Sequence, residues 1–267
     1  MSLTLSFLMR NLLVYFIIPV TVSLLLMLMY FSGHASLQQI VAPTIPSMQS
    51  NSWRELGLLE NMQNIYLLII IALGIACLIK NKSFLERFIA VMIIMISTFI
   101  FLEEIDYGLH YYEYFSGIEI ENQVPAGQRN WHNKGEGISN VRILRKIVDA
   151  ASICFFVILP LALHKIRNPI VRYFLPSRWF ILTAAAIFSL SQLAHFLEDA
   201  GFAVINGVKG NLSSGDISEF GELNMYYGYI VYVYGLVRLK IYECKTTYVL
   251  LHHNVKPAQH STENPYR

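Results

Sequence analysis

Charge is what this sequence has least of. Asp, Glu, Lys and Arg make up 14% of the 267 residues, whereas 55% are hydrophobic and the mean hydropathy is +0.46. Ordinary soluble domains carry about 25% charged residues, so a water-facing globular surface is excluded and the bilayer becomes the expected solvent. A net charge of +2 leaves no broad basic surface, which argues against nucleic acid as a partner. Cysteine is scarce as well. Cys77, Cys154 and Cys244 each fall in or beside an apolar run with no CxxC spacing, which argues against a disulfide framework and a cysteine zinc site. The compact catalytic signatures are missing too: no HExxH, no GxSxG and no repeated Glu-x-x-His. His195-x-x-Glu198 has the reverse order and is a poor match to a di-iron bundle.

What is present is a series of long apolar runs. They cover about Leu12 to Phe31, Ile65 to Ile79, Phe88 to Leu102, Ile147 to Ile166, Trp179 to Leu197 and Met225 to Ile241. With their flanks they approach the roughly 20 helical residues that cross a bilayer. The expected fold is therefore all-α, a polytopic transmembrane bundle of about six spans over 1–245, followed by a polar cytoplasmic tail, 246–267. Arg10, the first run and Ser32-Gly33-His34-Ala35 have the layout of a signal peptide with its cleavage site. The run exceeds the about 7 to 15 apolar residues of a signal sequence, so it is read as an anchor.

Cytoplasmic loops retain Lys and Arg, and that rule puts both ends inside. The inner segments then hold Arg10; Lys80, Lys82 and Arg87; Lys165, Arg167, Arg172 and Arg178; and Arg238, Lys240, Lys245, Lys256 and Arg267, which is 13 of the 20 basic residues. Of the 18 acidic residues only Glu86, Glu243 and Glu263 are inside, leaving 15 at or near the outer face. Acidic residues contribute little to orientation, so this skew calls for a functional cause. It falls on three long outer connections, near Ser32 to Asn64, Glu103 to Lys146 and Glu198 to Asn224.

The richest segment is Phe101 to Phe115, FLEEIDYGLHYYEYF. If the third helix continues through it, Glu103, Asp106, His110 and Glu113 share an arc of about 80°. The plain reading is a helix end turning polar at the water boundary, with Tyr107, Tyr111, Tyr112 and Tyr114 as an aromatic belt. The fifth run strengthens the functional alternative, because Ser191, Gln192, His195, Glu198 and Asp199 form a polar stripe that enters the membrane. Its plain reading is hydrogen bonding between helices. Glu55, Glu60, Glu219 and Glu222 precede the second and sixth runs, where each complements a helix dipole and together they ring one mouth with acid.

The order Glu103-Glu104-Ile105-Asp106-Tyr107-Gly108 followed by Asn130-Trp131-His132-Asn133 resembles a family of uncharacterised bacterial multi-pass membrane proteins with an E-E-x-x-W-G and N-x-H-N pattern. The resemblance covers roughly Arg54 to Glu136 and departs from the pattern at Tyr107, where the family has tryptophan. It implies a bacterial inner (plasma) membrane location and directs attention to Glu103, Glu104, His132 and Asn133, but it assigns no reaction.

Imidazoles with carboxylates and no thiolate suit zinc, iron or manganese. The leading expectation is a metal-dependent membrane enzyme, a hydrolase or group transferase, with metal candidates Glu103, Glu104, His110, His132, His195, Glu198 and Asp199, and with Glu104 or Glu198 as base. Arg142, Arg145 and Lys146 form a basic, apolar stretch on the outer side, suited to a membrane lipid or polyprenyl phosphate as substrate, or simply to neutralising the acidic mouth. The rival classes are a cation or proton transporter, which lacks an ionisable chain in the inner half, and a non-catalytic membrane subunit using Gly228 and Gly235 as a helix contact.

Overall fold

A computed structural model describes residues 2–43, 57–117, 140–166, 168–210, 212 and 216–253. The described chain is a bundle of α-helices: α1 (Ser2–Leu12), α2 (Ile18–Tyr30), α3 (Ala35–Val41), α4 (Leu58–Lys80), α5 (Phe84–Glu104), α6 (Leu109–Ser116), α7 (Asn140–Ile153), α8 (Leu159–Ala162), α9 (Pro169–Phe174), α10 (Phe180–Asp199) and α11 (Glu219–His253). Four helical stretches are long and apolar enough to cross a membrane: Ser6–Tyr30, Leu58–Lys80, Phe84–Glu104 and Phe180–Asp199. The fourth expected run falls on α7, α8 and the π-helical stretch that joins them, and the sixth on α11. Large apolar side chains on these helices point outward, with Ile79 77% and Phe188 68% exposed, as a lipid-facing surface requires.

Two prolines shape the first and fourth runs in the same way. A helical proline has no N–H to give and its ring crowds the carbonyl four residues earlier. Before Pro19 the helix widens into a π-helical stretch, Leu13–Ile17, and before Pro160 into another, Cys154–Ile158. The carbonyl that Pro19 cannot serve belongs to Tyr15, and the Thr183 hydroxyl of α10 donates to it at 2.7 Å. One residue earlier, the Val14 carbonyl accepts from the Tyr227 hydroxyl of α11 at 2.8 Å. The bulge thus fastens the first long apolar helix to α10 and α11.

The most extensive packing of α4 is with α5 and α11, and α11 also packs on α10. Contacts therefore run from α5 through α4 and α11 to α10. Gly74 lets α4 and α5 approach closely, since a Cβ there would lie 2.8 Å from Ile94 Cγ1. Gly228 packs at ordinary distance, 3.8 Å, from Phe180 and Thr183, so it serves contact between α11 and α10 within the chain. The largest core cluster lies at one end, where Tyr30 and Phe31 meet Val41, Leu59, Leu190, Phe220 and Leu223.

One element departs from the all-α expectation. Val204–Ile205 and Val208–Lys209 pair antiparallel as β1 and β2 between α10 and α11. Asn206 (φ 50°) and Gly207 (φ 79°) make the turn, both in the left-handed region that a two-residue hairpin turn demands.

Packing of α4 on the end of α3 generates a stability prediction. A Cβ on Gly57 would sit 2.3 Å from the Val41 backbone carbonyl, an atom that cannot swing aside. Gly57→Ala should therefore lower stability by about 1–3 kcal/mol, the usual range for overpacking. Gly235→Ala, where a Cβ meets nothing within 4 Å, should be neutral or stabilising. Thermal unfolding of the two purified variants against the parent checks the contrast.

Candidate functional site

The site begins where α5 ends. A continuous helix through Phe101 to Phe115 is not what forms: α5 stops at Glu104, and Asp106 (φ 48°), Tyr107 (φ 55°) and Gly108 (φ 89°) all enter the left-handed region before α6 starts. The shared arc of Glu103, Asp106, His110 and Glu113 is corrected accordingly. Glycine takes such a conformation freely, but the other two residues cost of order 1–3 kcal/mol each and need their surroundings to hold them there. The kink still turns acid inward. Glu103, Asp106 and Glu113 are 4%, 3% and 5% exposed, whereas Tyr112 and Phe115 are 53% and 80% exposed. Acid inside and aromatic outside reverses the pattern of a helix in water and suits one lying at a membrane interface. The Tyr107 hydroxyl donates to Glu103 Oε1, and that bond, followed by burial and the Glu103 charge, raises the Tyr107 pKa.

The second wall is the start of α4. Its buried stripe runs Leu59, Glu60, Gln63, Asn64, Leu67, Ile70, Gly74 and Cys77, so the helix is polar for its first two buried turns and apolar beyond. Glu60 stands in the first turn, where the helix dipole favours a carboxylate. Gln63 Nε2 donates to the backbone carbonyl of Glu219 at 3.1 Å and to its Oε2 at 3.0 Å. Those two acceptors fix the amide orientation and leave Gln63 Oε1 and its neighbour Asn64 Oδ1 buried without hydrogen bonds in this structure. The Asn61 Oδ1 accepts from the Tyr111 hydroxyl of α6 at 3.2 Å.

The third wall is the start of α11, with Glu219 and Glu222 in its first turn. Tyr226, 4% exposed, donates to Glu104 Oε1 at 3.3 Å. Its hydroxyl lies in the field of four carboxylates, those of Glu104, Glu222, Glu219 and Glu60. Three helices thus bring acid to one tyrosine. Asn224, 1% exposed, anchors this turn by donating to Ser23 Oγ at 2.8 Å and to the Phe220 carbonyl at 2.9 Å.

The polar stripe of the fifth run does not join that group. The face of α10 buried in the bundle carries Phe180, Thr183, Ala186, Leu190 and Ala194, while Gln192, His195 and Asp199 are exposed. Glu198 Oε1 lies 3.3 Å from Lys209 Nζ and ties α10 to the hairpin. Among the described residues, no three His, Cys, Asp or Glu side chains are placed to hold a metal ion. Glu103 and Glu104 bond to tyrosines, and the α10 stripe occupies a helix that packs on α11 and α2. His132 and Asn133, and the side chains of His110, Arg142 and Arg145, lie outside the described residues; Lys146 is exposed on α7. The site residues that sequence reasoning passed over are Asn61, Gln63, Asn64 and Tyr226. Three amides within two turns of an otherwise apolar helix were the available signal.

No family model, curated protein or solved structure matches the chain.

The bond between α4 and α11 can be tested alone. Gln63→Leu removes both donors to Glu219 and should cost about 1–3 kcal/mol, the price of leaving buried acceptors unsatisfied. In a double-mutant cycle with Glu219→Gln, thermal unfolding should give a coupling of about 0.5 kcal/mol or more. Additive effects would mean that the two side chains do not meet.

Proposed function

We propose that this protein conducts or exchanges a cation, either a proton or an inorganic ion, across a membrane through a six-span bundle with both ends inside. The observation that carries this reading is the convergence of Glu60, Glu104, Glu219 and Glu222 on Tyr226. Like charges gathered at the end of an apolar bundle stay compatible with folding only with protons or positive charge among them. Such a mouth raises the local cation concentration.

The inner half of the bundle supports the same reading, where the sequence offered no ionisable chain. Tyrosine hydroxyls follow Tyr226 along α11 at steps of three residues, about 4.5 Å of rise each. Tyr229 shares a hydrogen bond with Ser152 of the fourth run at 2.7 Å. Tyr232 donates to the Phe174 carbonyl at 2.9 Å. Tyr173, beside it in chain order, interacts with Cys77 and Asn81 at the far end of α4 and with Glu86 in the first turn of α5. A three-residue step drifts by about 60° per tyrosine, so the file winds from α5 to α7 to α9 instead of following one face. Hydroxyls both donate and accept, which is what relay of a proton or partial coordination of an ion needs. By the Lys and Arg distribution the acidic mouth faces outward, and in a bacterium the membrane is the inner one.

Reconstitution into proteoliposomes tests the function. A proton, sodium or potassium gradient should collapse faster with the protein than without it, and Glu104→Gln or Tyr226→Phe should slow the flux tenfold or more while the protein stays folded. Absence of flux for every cation, together with turnover of the vesicle lipids, would move the site to a hydrolytic or group-transfer enzyme.

Orientation has its own test. Single cysteines replacing Asn122 and Ser214 should react with an impermeant reagent applied from outside, whereas those replacing Lys82 and Arg172 should react only after the membrane is opened. Labelling at position 82 from outside would defeat the six-span topology.

A further inference from the structure

The opposite end of the bundle holds a second feature; Tyr173 and Tyr232 of the hydroxyl file line it, but it rests on Arg10 and Arg238 and stands whether or not a cation passes. An open cavity of about 570 Å³ lies between the start of the first span, the segment after α9, the start of α10 and the inner part of α11. That volume falls in the range of small-ligand sites, roughly 300–1,000 Å³. Arg10 and Arg238 both line it, with Tyr15, Ser177, Phe180 and Gly235 among the residues between them. The Tyr15 hydroxyl interacts with Ser177 and lies in the field of Arg10, so the polar groups cluster on the side of Arg10. The Arg10 guanidinium sits 5.5 Å from the centre of the Phe7 ring, at the exposed start of the helix.

Two guanidinium groups beside hydroxyls, over a partly apolar floor, form a chemistry suited to a phosphoryl anion. Arginine offers planar paired donors that match phosphate oxygens, and basic pockets between spans take up anionic lipid heads. Lys80 at the end of α4, Lys82 between α4 and α5, Arg87 in α5, and Arg172 and Arg178 around α9 share this end of the bundle and outnumber its acid, Glu86 of α5, which acts on Tyr173. Gly235 supplies the space. A Cβ built there meets no atom within 4 Å, so the cavity reaches the α11 backbone at this turn.

We infer that the Arg10–Arg238 cavity is a binding site for a phosphoryl anion, the head of an anionic phospholipid or a soluble phosphate compound. The full chain purified in neutral detergent should unfold at a temperature about 5 °C or more higher with phosphatidylglycerol than with phosphatidylcholine. Inorganic phosphate forms the second arm. A shift with phosphate alone assigns the cavity to a soluble phosphoryl ligand, and a shift confined to phosphatidylglycerol assigns it to a lipid head.

Either shift should disappear in Gly235→Leu, which fills the cavity from a position with room for the side chain, and should shrink at least twofold in Arg10→Gln. Gly235→Ala serves as the folding control and should keep the shift. If Gly235→Leu does not fold, Arg238→Gln replaces it with the same expectation. Equal stabilisation by phosphatidylcholine, no shift with either phosphate source, or a shift undiminished in these variants overturns the assignment.

Discussion

Carboxylates built into an apolar helix bundle must be turned away from lipid and given polar company, and α11 is the element that meets this demand. Its first turns present Glu219, Glu222 and Tyr226 to α4 and α5, while Asn224 holds the same turns against α2. Glu104 stands at the C-terminal end of α5, where the helix dipole disfavours negative charge, and Tyr226 of α11 supplies it with a donor. The kink that follows α5 belongs to the same solution. Only a sharp left-handed turn lets Asp106 and Glu113 face inward while Tyr112 and Phe115 face out.

A second demand comes from the backbone. Every carbonyl in the hydrocarbon region needs a donor, and each proline removes one. Around Pro19 that deficit becomes a joint, because Thr183 and Tyr227 deliver hydroxyls to the carbonyls of Tyr15 and Val14. Helices that share few polar side chains are thereby held in register by bonds of fixed geometry. The tyrosines of α11 consequently have two kinds of work. Tyr227 fastens the bundle, whereas Tyr226, Tyr229 and Tyr232 point to groups on three other elements.

Apolar run length made four spanning helices legible from sequence, since it reports directly on the cost of exposing backbone in lipid. Acidic skew likewise drew attention to one end of the bundle, where Tyr226 lies in the field of Glu60, Glu104, Glu219 and Glu222. The continuation of α5 was misread because Ile105-Asp106-Tyr107 carries no strong breaker, and only Gly108 marks the turn. Positive φ at Asp106 and Tyr107 is imposed by tertiary packing, which no local propensity encodes. The α10 stripe was misread for a related reason. Helical periodicity says that Gln192, His195 and Asp199 share a face, but which face is buried depends on the neighbours, and here small residues such as Ala186 and Ala194 win the contact. The β-hairpin has a local signal, because Asn206-Gly207 is the dipeptide that two-residue hairpin turns favour.

The two ends of the molecule carry opposite charge, and the physical reasons differ. On the proposed topology the basic end is the cytoplasmic one, where insertion retains positive charge whatever the protein does. Insertion imposes no comparable rule on acids, so the gathering of carboxylates at the other end needs its own explanation. Their placement is also specific: Glu60 and Glu222 stand in first helical turns, Glu104 in a last turn, and Asp106 in a kink, yet Glu60, Glu103 and Asp106 are buried and Glu104 and Glu222 reach Tyr226. Three different local settings, each turning acid into the bundle, are hard to derive from solvation alone, because a solvated helix end would send its acids outward. Burial of charge at an end that could have faced water is an energetic concession, which the donors Gln63, Tyr107 and Tyr226 reduce and which the proposed cation would reduce further.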